Sequence, residues 1–250
     1  KEDRTRLGER RGEATRSRPG GPLVWVHGAS VGESLSLLPI VEALAAQGYS
    51  VIVTSGTVTS AKVLARRLLE GSTHQYMPLD VPHYVARFLD HWRPDLAIFA
   101  ESEIWPNMIC ESFKRDIPLV LVNGRMSDRS FQRWTKMRSF ARYLFARFDL
   151  CLAQTQADAE RLVRLGAPRV TVTGNLKFEM DVGASPHPNT PELRTRLGAR
   201  QVFLIASTRA GEEALLLEAI LKTDFEDALI VIVPRHPQRF DEVADLLTVR

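Results

Sequence analysis

Cysteine is scarce in this chain. Its two cysteines among 250 residues, Cys110 and Cys151, lie in apolar surroundings without a C-x-x-C spacing, which excludes a disulfide framework and a thiolate zinc site and fits a reducing, cytoplasmic setting. Long apolar runs are missing as well. No stretch approaches the ~18 consecutive apolar residues of a membrane span, and the first twenty residues are too charged for a secretory signal. The chain is therefore expected to be soluble or at most peripherally membrane-bound. No internal repeat, low-complexity tract or recognised nucleic-acid-binding motif is present, so nucleic acid is not an expected partner.

What is there is ordinary globular material, 44% hydrophobic and 25% charged, enough for one large domain or two smaller ones. The formal charge of +3 sits at one end: residues 1–18 hold seven Lys/Arg against four Asp/Glu, which leaves the body balanced. A second basic zone spans 125–147, where Arg125, Arg129, Arg133, Lys136, Arg138, Arg142 and Arg147 face one acid, Asp128. Phe131, Trp134, Met137, Phe140, Tyr143, Leu144 and Phe145 interleave with them. That pattern predicts a basic amphipathic helix, suited either to an anionic membrane surface or phosphate, or to burying an aromatic stripe behind a solvated basic back.

Short β-rich runs alternate with longer periodic stretches, the signature of βαβ units around a parallel sheet. Strands are expected near 23–27, 50–54, 74–77, 95–99, 118–122, 149–153 and 169–173, with helices near 33–47, 58–70, 82–91, 104–115, 128–147 and 156–165. The pattern lapses over 174–200, where Gly183, Pro186, Pro188, Asn189 and Pro191 read as a linker. It resumes with strands at 201–206 and 228–233 and helices at 211–221 and 238–247, the opening of a second α/β domain.

The turn after the first strand, Gly28-Ala29-Ser30-Val31-Gly32-Glu33, delivers a carboxylate to a strand-to-helix junction of the kind that lines the crevice of open α/β sheets. By itself Ser30-x-x-Glu33 favours a capping box, with a catalytic base as the alternative. Glu101 and Glu103 follow the fourth strand and are expected to face the same crevice.

Four segments together carry a resemblance: Ala29-Ser30-Val31-Gly32-Glu33-Ser34, Glu101-Ser102-Glu103-Ile104-Trp105-Pro106-Asn107, Val172-Thr173-Gly174-Asn175-Leu176-Lys177-Phe178, and Val233-Pro234-Arg235-His236-Pro237-Gln238-Arg239-Phe240. In this order they resemble the bacterial 3-deoxy-D-manno-octulosonic acid (Kdo) transferases of lipopolysaccharide synthesis. The resemblance implies a GT-B architecture of two Rossmann-like domains, the second only partly present. It divides the chain into a basic membrane-proximal segment at 1–20, an acceptor domain at 21–178, a linker at 179–200 and the start of a donor domain at 201–250.

The implied reaction is inverting transfer of Kdo from CMP-Kdo to a lipid A precursor, lipid IVA, at the cytoplasmic face of the inner membrane, whose anionic surface is a further partner. By resemblance Glu33 is the general base, and Glu101 and Lys177 support the transition state. Pro234, Arg235, Ser207 and Thr208 hold the CMP-Kdo donor, while Ser30, Gly32 and Arg125 bind the acceptor. Glu103 is expected to be a packing or hydrogen-bonding companion, and His236 a structural residue. No cofactor is implied, and no metal: the sequence has no D-x-D motif, and CMP-Kdo offers a single phosphate for Arg and Lys to neutralise.

Family members usually begin with an apolar anchoring helix, which would place the basic segment just inside the membrane. They end with a glycine- and Glu-containing region that completes the CMP site. This chain shows neither, so activity is expected of the longer parent protein. Two other readings stay open at this level: a GT-B glycosyltransferase or epimerase using a UDP sugar, and a non-enzymatic module binding anionic surfaces through the two basic zones.

Overall fold

Strands buried on both faces need apolar side chains at consecutive positions, and Leu23-Val24-Trp25-Val26 supplies them. The computed structural model describes residues 2–69, 71–178, 189–220, 222 and 228–248 and divides into two units, Lys1–Asp181 and Val182–Arg250. The first unit runs α1 (Leu7–Arg10), β1 (Leu23–His27), α2 (Val31–Ser36), α3 (Leu38–Ala46), β2 (Ser50–Ser55), α4 (Val58–Arg67), β3 (Ser72–Tyr76) and α5 (Pro82–Trp92). It continues through β4 (Leu96–Ala100), α6 (Pro106–Phe113), β5 (Leu119–Gly124), α7 (Asp128–Lys136), α8 (Arg138–Phe145), β6 (Leu150–Ala153), α9 (Gln156–Leu165) and β7 (Val170–Val172).

The seven strands form one parallel sheet in the order β3-β2-β1-β4-β5-β6-β7. Alternate residues of β1 feed two cores. Leu23 and Trp25 join Phe88, Trp92 and Phe99 on one face, and Val24 and Val26 join Leu37, Val41 and Val53 on the other. Trp25 lies 4.9 Å from both Phe88 and Phe99, and its indole N–H donates to Thr54 Oγ1 at 2.8 Å, so the largest core side chain leaves no orphan donor. Burying each such side chain contributes about 1.5–3 kcal/mol.

The chain winds outward from β1 to β3 and then returns to place β4 on the other side of β1. The strand order reverses there, and the loops after β1 and β4 diverge at the carboxyl edge to open a crevice.

Two long helices expected from periodicity are each broken. Residues 33–47 split at Leu37 because Pro39 has no N–H for the carbonyl of Leu35 and crowds it. The basic helix at 128–147 divides at Met137. A straight helix would hold Trp134 and Phe145 roughly 16 Å apart along its axis; the break brings their rings to 5.6 Å and stacks Trp134 on Phe140 at 6.3 Å.

The basic N-terminal segment packs on the sheet's edge. Glu9 on α1 is fully buried, accepting from Arg6 Nε at 2.7 Å, from the backbone N–H of edge-strand residue Tyr76 at 2.7 Å and from Thr15 Oγ1 at 3.2 Å. Arg10 donates to the carbonyls of Met77 and Gly56, and Arg18 to that of Trp92. Three of the segment's arginines thus serve internal contacts.

The second unit holds α10 (Thr190–Leu197), β8 (Val202–Thr208), α11 (Glu212–Ile220), β9 (Leu229–Pro234) and α12 (Phe240–Thr248), with β8 and β9 parallel. Gly183, Pro186 and Pro188 of the expected linker lie outside the described residues. Pro191 starts a helix instead of extending a loop, its missing N–H being harmless in a first turn.

Candidate active site

At the end of β1, Gly28 is fixed by close approach. A Cβ there would lie 3.0 Å from both the Ser34 nitrogen and Leu37 Cδ1, so even a methyl group would require the start of α2 and Leu37 to give by a few tenths of an ångström. Gly32 is the opposite case: a Cβ would meet nothing within 4 Å, and the fold itself makes no demand for glycine at that position.

Ser30 caps α2. Its Oγ accepts from the Glu33 N–H at 3.3 Å and donates to Glu33 Oε1 at 2.7 Å, while the Ala29 N–H donates to Oε2 at 2.9 Å. The cap legible in the sequence is therefore formed, with Glu33 reaching back to the Ala29 N–H in place of the Ser30 N–H of a standard capping box, and Ser30's hydroxyl is committed to Glu33. Half-buried, the Glu33 carboxylate is locked in one rotamer, with lone pairs left on each oxygen for a further donor.

After β4 the chain turns through Glu101, a non-glycine residue with φ 52°. Its N–H donates to Val122 O at 3.0 Å, its carbonyl accepts from the Arg125 N–H at 3.3 Å, and Ser102 Oγ donates to Arg125 O at 2.9 Å. These bonds weld the β4 and β5 loops together. Glu101 Oε1 accepts from Lys177 Nζ at 2.8 Å, joining two motifs 76 residues apart, with Lys177 44% exposed and Glu101 14%. Arg125 is exposed beside them and contributes its backbone to the weld.

Glu103 turns the other way. Its Oε2 accepts from Trp105 Nε1 at 2.5 Å and meets His27 Nε2 at 3.3 Å, while the buried His27 ring is anchored through Nδ1 on Thr54 Oγ1 at 2.9 Å. Burial pushes the Glu103 carboxyl up, but the hydrogen bond and charge of His27 and the bond from Trp105 outweigh it and hold it below its ordinary 4.5. Beside this pair lies a cavity of about 400 Å³ walled by Met77, Leu79, Trp105 and Met108, with Asp80 on its rim. Asp80 caps α6 by accepting from the N–H groups of Asn107 and Met108 at 3.2 and 3.0 Å.

His27 and Asn123 are the residues that sequence reasoning passed over. A histidine closing an otherwise apolar strand, and an Asn-Gly pair closing another, were the available signals.

In the second unit Ser207, Thr208, Pro234 and Arg235 gather at the carboxyl ends of β8 and β9, where Ser207 takes φ 63° at an irregularity of the ladder and the Arg235 N–H donates to Thr208 O at 3.0 Å. Ser207 and Arg235 are exposed. Thr208 is buried and donates to Glu213 Oε1 at 2.7 Å, so its hydroxyl is occupied within the protein. Arg239 grips Glu213 at 2.8 and 3.2 Å; this fork outweighs burial and holds the Glu213 carboxyl at about 2.

The break at Met137 also separates the buried apolar side chains of the basic zone from the exposed ones. Leu144 and Phe145 enter the core, whereas Met137, Phe140 and Tyr143 are 50%, 43% and 49% exposed among Arg133, Lys136, Arg138 and Arg142.

Residues 5–180 match the family described as 3-deoxy-D-manno-octulosonic-acid transferase (kdotransferase). The chain belongs to the Kdo transferase family. It is 37% identical over 249 residues to the 3-deoxy-D-manno-octulosonic acid transferase of Rickettsia bellii and 34% identical over 253 residues to that of Haemophilus influenzae, in each case over 98% of this chain and 59% of the relative. The chain thus spans about three fifths of the length of these Kdo transferases.

Among solved structures it is similar to the UDP-GlcNAc 2-epimerase of Neisseria meningitidis bound to UDP-GlcNAc, with TM-score 0.63 and 13% identity over 92% of this chain and 70% of that one. A glycosyltransferase of Rickettsia africae gives TM-score 0.58 and 13% identity over 92% and 66%. At such identities the likeness is one of fold, and the fold is GT-B.

Proposed function

We propose that the full-length protein transfers Kdo from CMP-Kdo to a lipid A precursor, lipid IVA, with inversion at the anomeric carbon. The observation that carries this reading is the Glu101–Lys177 ion pair, set at the carboxyl edge of the sheet in the loop after β4, while Glu33 opens the helix after the neighbouring strand β1. Family membership supplies the substrate class.

An acceptor hydroxyl attacks the anomeric carbon of Kdo and gives its proton to Glu33. The bond from that carbon to the phosphate oxygen breaks, and CMP leaves with the electron pair. A rigid helix start suits a base, because a carboxylate already in position spends no entropy in reaching the hydroxyl. Lys177 neutralises charge gathering on the departing phosphate, and Glu101 both orients the lysine and offsets the cationic character of the sugar ring. Ser30 acts through Glu33. The open space at Gly32 admits the acceptor, Arg125 binds it from the loop that carries Glu101's backbone partner, and Ser207, Thr208, Pro234 and Arg235 form the donor side of the second unit, Thr208 through its backbone. The exposed aromatic and basic surface of α7 and α8 meets the anionic inner-membrane surface at its cytoplasmic face, apolar rings in the interface and arginines on lipid phosphates.

Incubating the full-length protein with CMP-Kdo and lipid IVA tests the reaction: release of CMP and a product heavier by Kdo residues are expected. Protection of the protein from thermal unfolding by UDP and not by CMP would overturn it in favour of a UDP-sugar enzyme.

A further inference from the structure

Asn123 sits beneath the ion pair and touches both of its supports. It closes β5 at a point where the β5–β6 register shifts, with φ 53° and only 1% exposure. Non-glycine residues in this left-handed region are uncommon and persist where the surroundings fix them; Asn tolerates it best. Bulges recur beside active sites because they re-aim a side chain.

Three bonds fix Asn123. Its carbonyl accepts from Gln154 Nε2 at 3.1 Å, its Oδ1 accepts from the Leu176 N–H at 3.1 Å, and its Nδ2 reaches Glu101 Oε1 at 3.4 Å. The orientation of the amide is forced, since a backbone N–H meets only an acceptor and a carboxylate only a donor. One side chain therefore grips the carboxylate oxygen that holds Lys177 and the main chain immediately before Lys177. The ion pair itself is half exposed at the lysine, and an exposed pair by itself is too weak to fix a long side chain.

We infer that Asn123 is a positioning residue for Kdo transfer, a two-ended amide clamp that sets Lys177 and Glu101 in register before the donor's phosphate leaves. The inference rests on the proposed roles of that pair.

The test uses the full-length protein and compares Asn123→Gly, Asn123→Asp, Lys177→Ala and the double variant Asn123→Gly/Lys177→Ala in steady-state CMP release from CMP-Kdo, with thermal unfolding alongside. Gly keeps the left-handed backbone and removes the amide. Asp keeps the acceptor for Leu176 and replaces the donor facing Glu101.

Asn123→Gly is expected to lower kcat roughly tenfold to a hundredfold, the scale on which a displacement of ~1 Å degrades catalysis, with KM for acceptor little changed. In the Lys177→Ala background it is expected to cost clearly less than in the unaltered protein, the remainder being its hold on Glu101, because half of what the clamp positions is gone. Asn123→Asp, which mends one end only, is expected to remain impaired. Full multiplicative loss in the double variant, or wild-type kcat in folded Asn123→Asp, would overturn the inference. If Asn123→Gly does not fold, Asn123→Asp carries the same cycle against Lys177→Ala. Absence of CMP release from the unaltered protein would instead sink the proposed function.

Discussion

Replacing Glu33 by Gln separates the two jobs assigned to that side chain. The carboxylate holds the start of α2 by accepting from the Ala29 N–H at 2.9 Å and from Ser30 Oγ at 2.7 Å. A glutamine of the same length accepts from Ala29 through its carbonyl and donates to Ser30 Oγ through its amide, so the cap survives with its polarity partly reversed. What is lost is a charge at a helix N-terminus, about 0.3–1 kcal/mol, and the difference between a charged and a neutral hydrogen bond, about 1 kcal/mol. Stability should therefore fall by about 1–2 kcal/mol, a shift of a few degrees in Tm.

The effect on catalysis is of another order. An amide has no basicity to offer an attacking hydroxyl, and loss of a general base costs roughly 10²–10⁴ in rate, or about 2.7–5.4 kcal/mol of barrier. The assay is CMP release by the full-length protein, beside thermal unfolding of the same preparation. Glu33→Ala serves as the comparison: it removes cap and base together and should be equally inactive but less stable. If Glu33→Gln retains more than a tenth of wild-type kcat while Glu33→Ala loses activity in step with stability, Glu33 is a cap and the catalytic reading fails.

Lys177→Ala should lower kcat by about 10²–10³, as removal of a donor aimed at developing charge does, while Tm moves little because the lysine is 44% exposed and such pairs stabilise by about 0–1 kcal/mol. Glu9→Ala should destabilise the first unit by about 3 kcal/mol in urea titration, since it orphans the Tyr76 N–H and breaks the pair with Arg6; a loss under about 1 kcal/mol would refute the buried-anchor account. Glu213, held at about 2 against an ordinary 4.5, contributes stability that is fully present above 4.5 and drains away as pH falls toward about 2. Hydrogen exchange of β8 and β9 amides across that window should show the loss, and Glu213→Gln should flatten it. Reversing Arg133, Arg138 and Arg142 to Glu should abolish cosedimentation with anionic vesicles and leave the fold intact, whereas unchanged binding would remove α7 and α8 from the membrane contact.

Much of the first unit was legible from periodicity alone. All seven strands of the first unit lie within a few residues of the runs that periodicity marks; the inner ones are apolar runs of a sheet covered on both faces, whereas the edge strands β3 and β7 are more polar or more exposed. The cap was legible because Ser30 and Glu33 are three residues apart and interact within one turn of helix. The breaks at Leu37 and Met137 were less accessible. Pro39 announced the first, but the second carries no local signal and exists because Trp134 must reach both Phe140 and Phe145.

Strand-helix alternation, family and the acids standing at strand ends can be read along the chain, since these depend on local spacing and on motifs in order. Only the folded chain brings Lys177 to Glu101 across 76 residues, sets Asn123 against Glu101, and turns Arg6, Arg10 and Arg18 of the N-terminal segment inward. The physical reason is range. Caps and periodicities are set within a turn or two of the chain, whereas an ion pair between distant loops exists only once the strand order has brought their ends to one edge of the sheet.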